Sequence, residues 1–207
     1  MYLRQLLLYT AGWLLLSQVA QAQTATPATE LREFSDQRIR HQKILGLTLG
    51  GYSLGNIALG SVMASRTSGE TRYFHQMNVY WNLINLGIAG AGLLGSRKRN
   101  TNGETLAQAI RQHQTMKQVL LFNAGLDVAY IVGGAYLRER SRARLPVTRP
   151  NRADQLRGYG KSVMLQGGFL LAFDMVNFLI FKNRGDNQQD QLLQATPSGV
   201  GVVLPIR

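Results

Sequence analysis

The sequence predicts an all-α membrane protein, with four transmembrane helices in an antiparallel bundle preceded by a signal peptide. Charged residues are few, at 16% of the 207 residues, compared with about 25% in an average soluble domain. The charges are also segregated. Four windows, residues 44–65, 73–96, 118–137 and 162–181, contain two aspartates and no other formal charge. Because a membrane crossing needs about 20 mainly apolar helical residues, each window is long enough for one crossing.

A soluble four-helix bundle is the alternative class. The helices of a soluble bundle present a polar face to water, whereas nearly all the charges of this chain lie between the windows. The mean hydropathy of −0.10 is low for a multi-pass membrane protein and keeps the soluble alternative open. Cysteine is absent, which excludes disulfides, Cys-ligated zinc, iron–sulfur clusters and thiol catalysis.

The first 22 residues have the layout of a secretory signal peptide. Arg4 supplies a basic start, an apolar run follows at residues 6–16, and the Ala-Gln-Ala sequence that ends at Ala22 is typical of a cleavage site. We expect cleavage after Ala22, and the alternative is that residues 1–22 stay as an anchor helix. Both alternatives export residues 23–43, in which charged and apolar residues alternate. That pattern predicts an amphipathic lead-in to the first span.

Three connections separate the spans of the transmembrane domain, residues 44–181. The first, residues 66–72, is short and contains Gly69, so the first two spans should form an antiparallel hairpin. The second is longer, and its residues 105–117 have a helical composition. The polar tail, residues 182–207, ends in an apolar stretch at 199–206 whose role the sequence leaves open.

The third connection, from Arg138 to Lys161, has the densest positive charge and predicts contact with anionic lipid headgroups. An exported N-terminus places this connection in the cytoplasm and the tail in the periplasm of a bacterial inner membrane. Lys and Arg are divided almost evenly between the two sides, so the orientation depends on the signal peptide rather than on the positive-inside rule. No aromatic platform or nucleic-acid motif accompanies the arginines, and we expect no nucleic-acid partner.

Polar side chains lie at similar depths in all four windows and form a candidate polar layer. Its members are Asn56, Asn78, Asn82, Asn85, Asn123, Asp127, Asp174 and Asn177. A carboxylate at the bilayer centre costs about 2.5–3.5 kcal/mol, so both aspartates should face the bundle interior. Their matching depths on antiparallel helices predict that they face each other or a shared polar partner.

The polar layer has two interpretations. In the structural one, amide and carboxyl groups form hydrogen bonds between helices, each contributing about 0.6 kcal/mol on average. In the functional one, the layer is a site for a proton, a cation or a small polar solute. The absence of any Lys or Arg from the four windows favours the functional interpretation, because no basic side chain there can neutralise Asp127 or Asp174.

Tyr73, His75 and Trp81 are candidate interfacial residues at the start of the second window. No two histidines have metal-ligand spacing. No phosphate-binding loop or catalytic triad pattern is present. The sequence therefore predicts no catalytic residue, no metal and no cofactor.

Three segments carry a resemblance to a known family: YFHQMNVYWNLIN at 73–85, FNAGLDVAYIVGGAYL at 122–137 and GYGKSVMLQGGFLLAFD at 158–174. With the signal-like start, they resemble an uncharacterised family of small four-helix membrane proteins from Bacteroidota-type bacteria. The resemblance implies the same architecture over most of the mature chain. It implies no catalytic role for the two aspartates.

These observations predict a non-enzymatic structural or accessory membrane module. Its expected partner in the bilayer is another membrane protein or a second copy of itself. The alternative is a small transporter or channel subunit that uses the layer around Asp127 and Asp174. A weaker third hypothesis is an intramembrane enzyme that uses His75 and the two aspartates.

Overall fold

The computed structural model describes the backbone of residues 2–97, 103–142 and 149–194, and the side chains of 28–96, 103–142 and 149–193. The described residues form four α-helices and no strand, which confirms the predicted all-α class. The helices are α1 (Tyr2–Arg66), α2 (Gly69–Arg97), α3 (Leu106–Arg142) and α4 (Pro150–Gln194). Two of them, α3 and α4, are long and apolar enough to cross a membrane.

The helices end where local sequence stops them. Gly69 has a φ of +55° between α1 and α2, a left-handed conformation that side chains disfavour. At the start of α3, the Gln108 backbone N–H donates to the Thr105 hydroxyl at 3.3 Å, and the Thr105 backbone N–H donates to Gln108 Oε1 at 3.0 Å. This is a capping box. Pro150 occupies the first position of α4, where no intrahelical donor is needed.

The helices extend past the boundaries that the charge-free windows suggest. The helix α1 runs as one helix through residues 2–66 and so includes the predicted signal segment 1–22 from residue 2 onward. The helix α4 begins twelve residues before the fourth window, in the basic connection, and continues through the first part of the tail. The reason is composition: these polar segments are rich in good helix formers such as Gln, Arg and Leu. The apolar end of the tail, 199–206, lies outside the described residues.

The helix α4 packs along both α2 and α3, and α1 packs along α2. Glycines allow α3 and α4 to approach closely. A Cβ added to Gly134 would lie 2.6 Å from the Gly160 carbonyl oxygen, and one added to Gly167 would lie 2.9 Å from the Asp127 carbonyl oxygen. Backbones that meet at small residues are typical of membrane helix pairs.

An extension of three helices continues beyond one end of the bundle. We define the extension as residues 28–43 of α1, 106–117 of α3 and 182–193 of α4. Its apolar core contains Phe34, Ala109 and Leu192, with Leu31 and Leu106 packed against them. Since the described part of α2 does not reach this level, three described helices form the extension and four form the rest of the bundle. The α1–α2 connection marks the opposite end, which we call the hairpin end.

Candidate functional site

The interior of the bundle contains a hydrogen-bonded network centred on Gln166 of α4, which is fully buried. The Gln166 amide donates through Nε2 to Asn78 Oδ1 of α2. The Tyr52 hydroxyl of α1 donates to Gln166 Oε1 at 3.1 Å. Asn78 Nδ2 donates to Asn56 Oδ1 of α1 at 3.0 Å. These bonds join three helices through side chains that the sequence places in charge-free windows.

Asn82 continues this network along α2. Its Nδ2 donates to the Asn78 backbone oxygen at 2.8 Å and to Asn78 Oδ1 at 3.2 Å. Asn85, one turn further, is also buried. Asn82 Oδ1 and Asn85 Nδ2 have no hydrogen-bond partner among the described residues. The second window therefore presents one continuous polar face to the interior, as the spacing of the three asparagines predicts.

Asp127 of α3 and Asp174 of α4 are buried together. The two residues are 2% and 7% exposed, and their carboxyl groups lie close enough to each other to interact. Asp127 Oδ2 has no further hydrogen-bond partner among the described residues. The structure thus brings these two aspartates together as a carboxyl pair.

Three other predicted members of the layer make fewer hydrogen bonds between helices or none. Asn56 accepts the bond from Asn78 and also donates to the Tyr52 backbone oxygen of its own helix at 2.9 Å. Asn177 donates to the Phe173 backbone oxygen at 2.7 Å, again within its own helix. Asn123 is half-buried on α3. The layer is therefore a three-helix amide network and a carboxyl pair rather than one ring of eight equivalent groups.

The predicted interfacial residues pack through their rings. Tyr73 contacts Tyr159 of α4 edge-on at 6.1 Å between centroids, and Trp81 contacts Tyr130 of α3 edge-on at 4.7 Å. The His75 ring lies edge-on to neighbouring Phe74 at 5.1 Å. The Trp81 contact joins α2 to α3 across the bundle.

Tyr52 also belongs to the polar layer, although the sequence patterns did not single it out. Its ring stacks on Phe169 of α4 with 3.6 Å between centroids and an interplanar angle of 6°, while its hydroxyl reaches Gln166. A tyrosine within an uncharged window was the available signal, because a buried hydroxyl needs a partner. Gln166 lies two turns before Asp174 on the same helix.

The extension contains a second cluster of charged side chains. Arg38 of α1 is buried, lies 2.9 Å from Glu104, and donates to the Ala109 carbonyl oxygen at 3.0 Å. Asp186 of α4 accepts from Lys117 Nζ at 2.7 Å. These pairs join α1 to the start of α3, and α3 to α4. Nothing in the sequence signals them, since the partners are 66 and 69 residues apart.

His113 lies at the centre of this cluster and is 1% exposed. Its ring stacks on Phe181 at 4.5 Å and contacts Phe34 at 5.4 Å. Burial lowers the pKa of His113 below its ordinary value, although the hydrogen bond to Asp186 opposes this shift. Because an ionised Asp186 can only accept, the neutral imidazole carries its proton on Nε2, which lies 3.1 Å from Asp186 Oδ1. A Cβ added to Gly185 would overlap the His113 ring, so only glycine leaves room for it.

Two cavities lie at opposite ends of the molecule. The outer cleft, in the extension, has a volume of about 480 Å³ and lies mainly between α1 and α4. The basic pocket, at the hairpin end, has a volume of about 390 Å³ and is lined by Glu70, Arg138, Arg142, Arg157 and Lys161. Within residues 28–96, 103–142 and 149–193, no group of three or more His, Asp or Glu side chains could hold a metal ion.

Comparison with known proteins identifies one similarity. The model of a family of unknown function, DUF6992, matches residues 48–175, a range that contains the amide network, the carboxyl pair and the basic pocket. The chain has no significant match among curated proteins or among solved structures.

Proposed function

We propose that this chain, which belongs to the family of unknown function DUF6992, is a four-span protein of the bacterial inner membrane that works as a non-enzymatic structural or accessory module. In this proposal residues 1–22 are a cleaved signal peptide. The extension and the C-terminal tail are periplasmic, and the hairpin end is cytoplasmic.

One observation carries the proposal: polar and apolar side chains are distributed in the reverse of a soluble bundle. Every exposed large apolar side chain among the described residues, except Leu193, lies in one of the four charge-free windows. Leu47 and Leu54 of α1, Ile84 of α2 and Phe122 of α3 are examples, each more than half exposed. The buried side chains of the same windows include three asparagines of α2 (Asn78, Asn82 and Asn85), Gln166 and both aspartates. Such a surface is stable in lipid and costly in water.

The exposed apolar surface extends to α1 and α2 as well as to α3 and α4. This supports four spans, because the exposed apolar side chains of all four helices need an apolar environment at the same depth of the bundle. The mean hydropathy of α1 and α2 is lowered by inward-facing groups such as Asn82 and Ser53, which are buried and do not meet the lipid.

The basic pocket supports an association with anionic headgroups at the cytoplasmic surface. Its four cationic side chains surround one carboxylate, Glu70, which pairs with Lys161 and lies 3.9 Å from Arg157. Arg138 has a sulfur contact with Met164 at 3.8 Å. The excess of positive charge at the end of the spans is complementary to an anionic leaflet.

The hydrogen bonds of the layer support a structural rather than a catalytic role. Tyr52, Asn56, Asn78 and Gln166 bond to one another, and such bonds specify which helices pair and in which register. A partner, whether another membrane protein or a second copy, would then meet the exposed apolar faces.

The carboxyl pair is the observation behind the one alternative, a transporter or channel subunit. That role requires an ionisable Asp127 and predicts that Asp127→Asn abolishes uptake or proton coupling. The structural role predicts that Asp127→Asn leaves a fully assembled bundle.

A cysteine-accessibility experiment tests the membrane placement. The chain contains no cysteine, so no native cysteine has to be replaced before single cysteines are introduced. Leu54→Cys, Ile84→Cys and Phe122→Cys should resist a membrane-impermeant maleimide in intact membranes and react after solubilisation. The control Gln108→Cys, at an exposed site of the extension, should react in both states after the outer membrane is permeabilised. Full reaction of the three window positions in intact membranes would contradict the proposal.

A further inference from the structure

The outer cleft lies beyond the last described residue of α2. A Cβ added to Gly46 of α1 would lie 2.8 Å from the Leu93 side chain of α2, and α2 ends four residues later, at Arg97. Four helical residues rise about 6 Å, so no described segment of α2 lies beside the part of α1 before residue 42. The space between α1 and α4 is open there, and it forms the outer cleft.

The lining of the outer cleft is apolar at one end and cationic at the other. Ile44 and Ile180 lie at the end nearest the spans and are 55% and 37% exposed. Arg40 and Arg184 line the cleft on the extension side. No Asp or Glu is among the lining residues that the structure describes. A third lining arginine, Arg38, is neutralised by Glu104, whereas Arg40 and Arg184 form no ion pair with a described residue.

His41 adds a polar group to the same wall. Its Nε2 is buried and has no hydrogen-bond partner among the described residues, while its ring contacts Phe181 at 5.3 Å. Burial, together with the charge of Arg184, lowers the pKa of His41, so the imidazole is neutral at pH 7. A neutral imidazole can donate to a ligand oxygen or accept from a ligand hydroxyl.

We propose that the outer cleft binds one anionic phospholipid, with its phosphate engaged by Arg40 and Arg184 and its acyl chains leaving along Ile44 and Ile180. Charge complementarity supports an anion. The apolar end supports a lipid rather than a free phosphate, because Ile44 and Ile180 continue into the exposed apolar surface of the spans. The volume of about 480 Å³ is in the range of small-molecule sites and suits a headgroup.

This inference rests on the proposed membrane placement, which puts Ile44 and Ile180 at the outer ends of the first and fourth spans. The two can fail separately. If the protein is released from membranes by alkaline extraction, the placement is wrong. If the protein stays in membranes but the cleft does not bind lipid, only this inference is wrong.

The test is a local measurement at Gln188, a lining residue of the cleft. The purified Gln188→Cys variant in detergent is labelled with a sulfonated maleimide while phosphatidylglycerol is added. Bound lipid should slow labelling, with phosphatidylcholine much less effective and inorganic phosphate without effect. Adding Arg40→Ala and Arg184→Ala should raise the half-protecting phosphatidylglycerol concentration roughly 25-fold, because each arginine near an anionic lipid contributes about a factor of five.

Arg32 and Arg111 supply the matched control, since both are exposed arginines of the extension and neither lines the cleft. Arg32→Ala with Arg111→Ala should leave protection unchanged. Equal protection by phosphatidylcholine, protection by inorganic phosphate alone, or an unchanged response in the Arg40/Arg184 variant would each overturn the proposal. Circular dichroism of each variant verifies that the helices are intact.

Discussion

Replacing Gln166 by Leu should destabilise the bundle by about 1–3 kcal/mol. Gln166 is fully buried, accepts from Tyr52 and donates to Asn78. Leucine is close in size but offers neither bond, so the Tyr52 hydroxyl loses its partner in the interior. Each buried polar group left unsatisfied costs about 1–3 kcal/mol. Asn78 Oδ1 keeps a bond from Asn82 at 3.2 Å, and therefore Tyr52 carries most of the loss.

A double-mutant cycle with Tyr52→Phe isolates the pair. Phenylalanine keeps the stack on Phe169 and removes the hydroxyl, so Gln166→Leu should cost less in the Tyr52→Phe background. We expect a coupling of about 0.6 kcal/mol, the average for hydrogen bonds between membrane helices, and no more than about 1.7 kcal/mol, the largest value for such bonds. The assay is reversible unfolding in mixed micelles. Leu165→Ala, at a neighbouring exposed site, is the control. Strict additivity of the two substitutions would refute the reasoning.

The remaining predictions concern the carboxyl pair, the histidine cluster and the N-terminus. Asp127→Asn or Asp174→Asn should leave the midpoint of thermal unfolding in detergent nearly unchanged, whereas Leu at both positions should lower it; unchanged stability with both leucines would contradict the buried pair. Gly185→Ala should destabilise by about 1–3 kcal/mol through overlap with His113, whereas Gly168→Ala, with nothing within 4 Å, should not; equal effects would contradict the packing. His113 and His41 have lowered pKa values in the folded state. Below pH 6.5 the unfolded chain therefore binds more protons, and stability should fall from pH 7.5 to 5.5. The double variant His41→Gln with His113→Gln should flatten that slope, and an unchanged slope would assign it to other groups. Intact-mass measurement of the mature protein should give a chain that begins at Gln23, and a sole product that begins at Met1 would contradict signal cleavage.

Much of the polar interior of the bundle was predictable from the positions of charged and amide residues along the helices. The uncharged windows mark the helices, and the spacing of Asn78, Asn82 and Asn85 marks the inward face of α2. Similar depth on antiparallel helices marks the contact between Asp127 and Asp174. These inferences need only the rise and period of a helix and the cost of an exposed charge in lipid.

The extension was not predictable in the same way. Arg38 and Glu104, or Lys117 and Asp186, are ordinary charged residues of polar segments, and no local pattern shows that they pair across more than 60 residues. The outer cleft depends on where α2 ends relative to α1 and α4. The sequence alone does not show how the ends of these helices align in the folded bundle. The capping box at Thr105 was visible as Thr-Leu-Ala-Gln, and it marks the start of α3 twelve residues before the third window.

The number of membrane crossings and their direction test the central proposal most directly. Reporter fusions that distinguish cytoplasm from periplasm can be placed after Arg66, after Arg152 and at the C-terminus, with alkaline extraction of each fusion as the check on membrane integration. The four-span arrangement predicts cytoplasmic reporters at the first two sites and a periplasmic reporter at the third, all in material that resists extraction. A cytoplasmic C-terminal reporter would contradict the orientation, and release of the protein by alkali would contradict the four-span membrane placement itself.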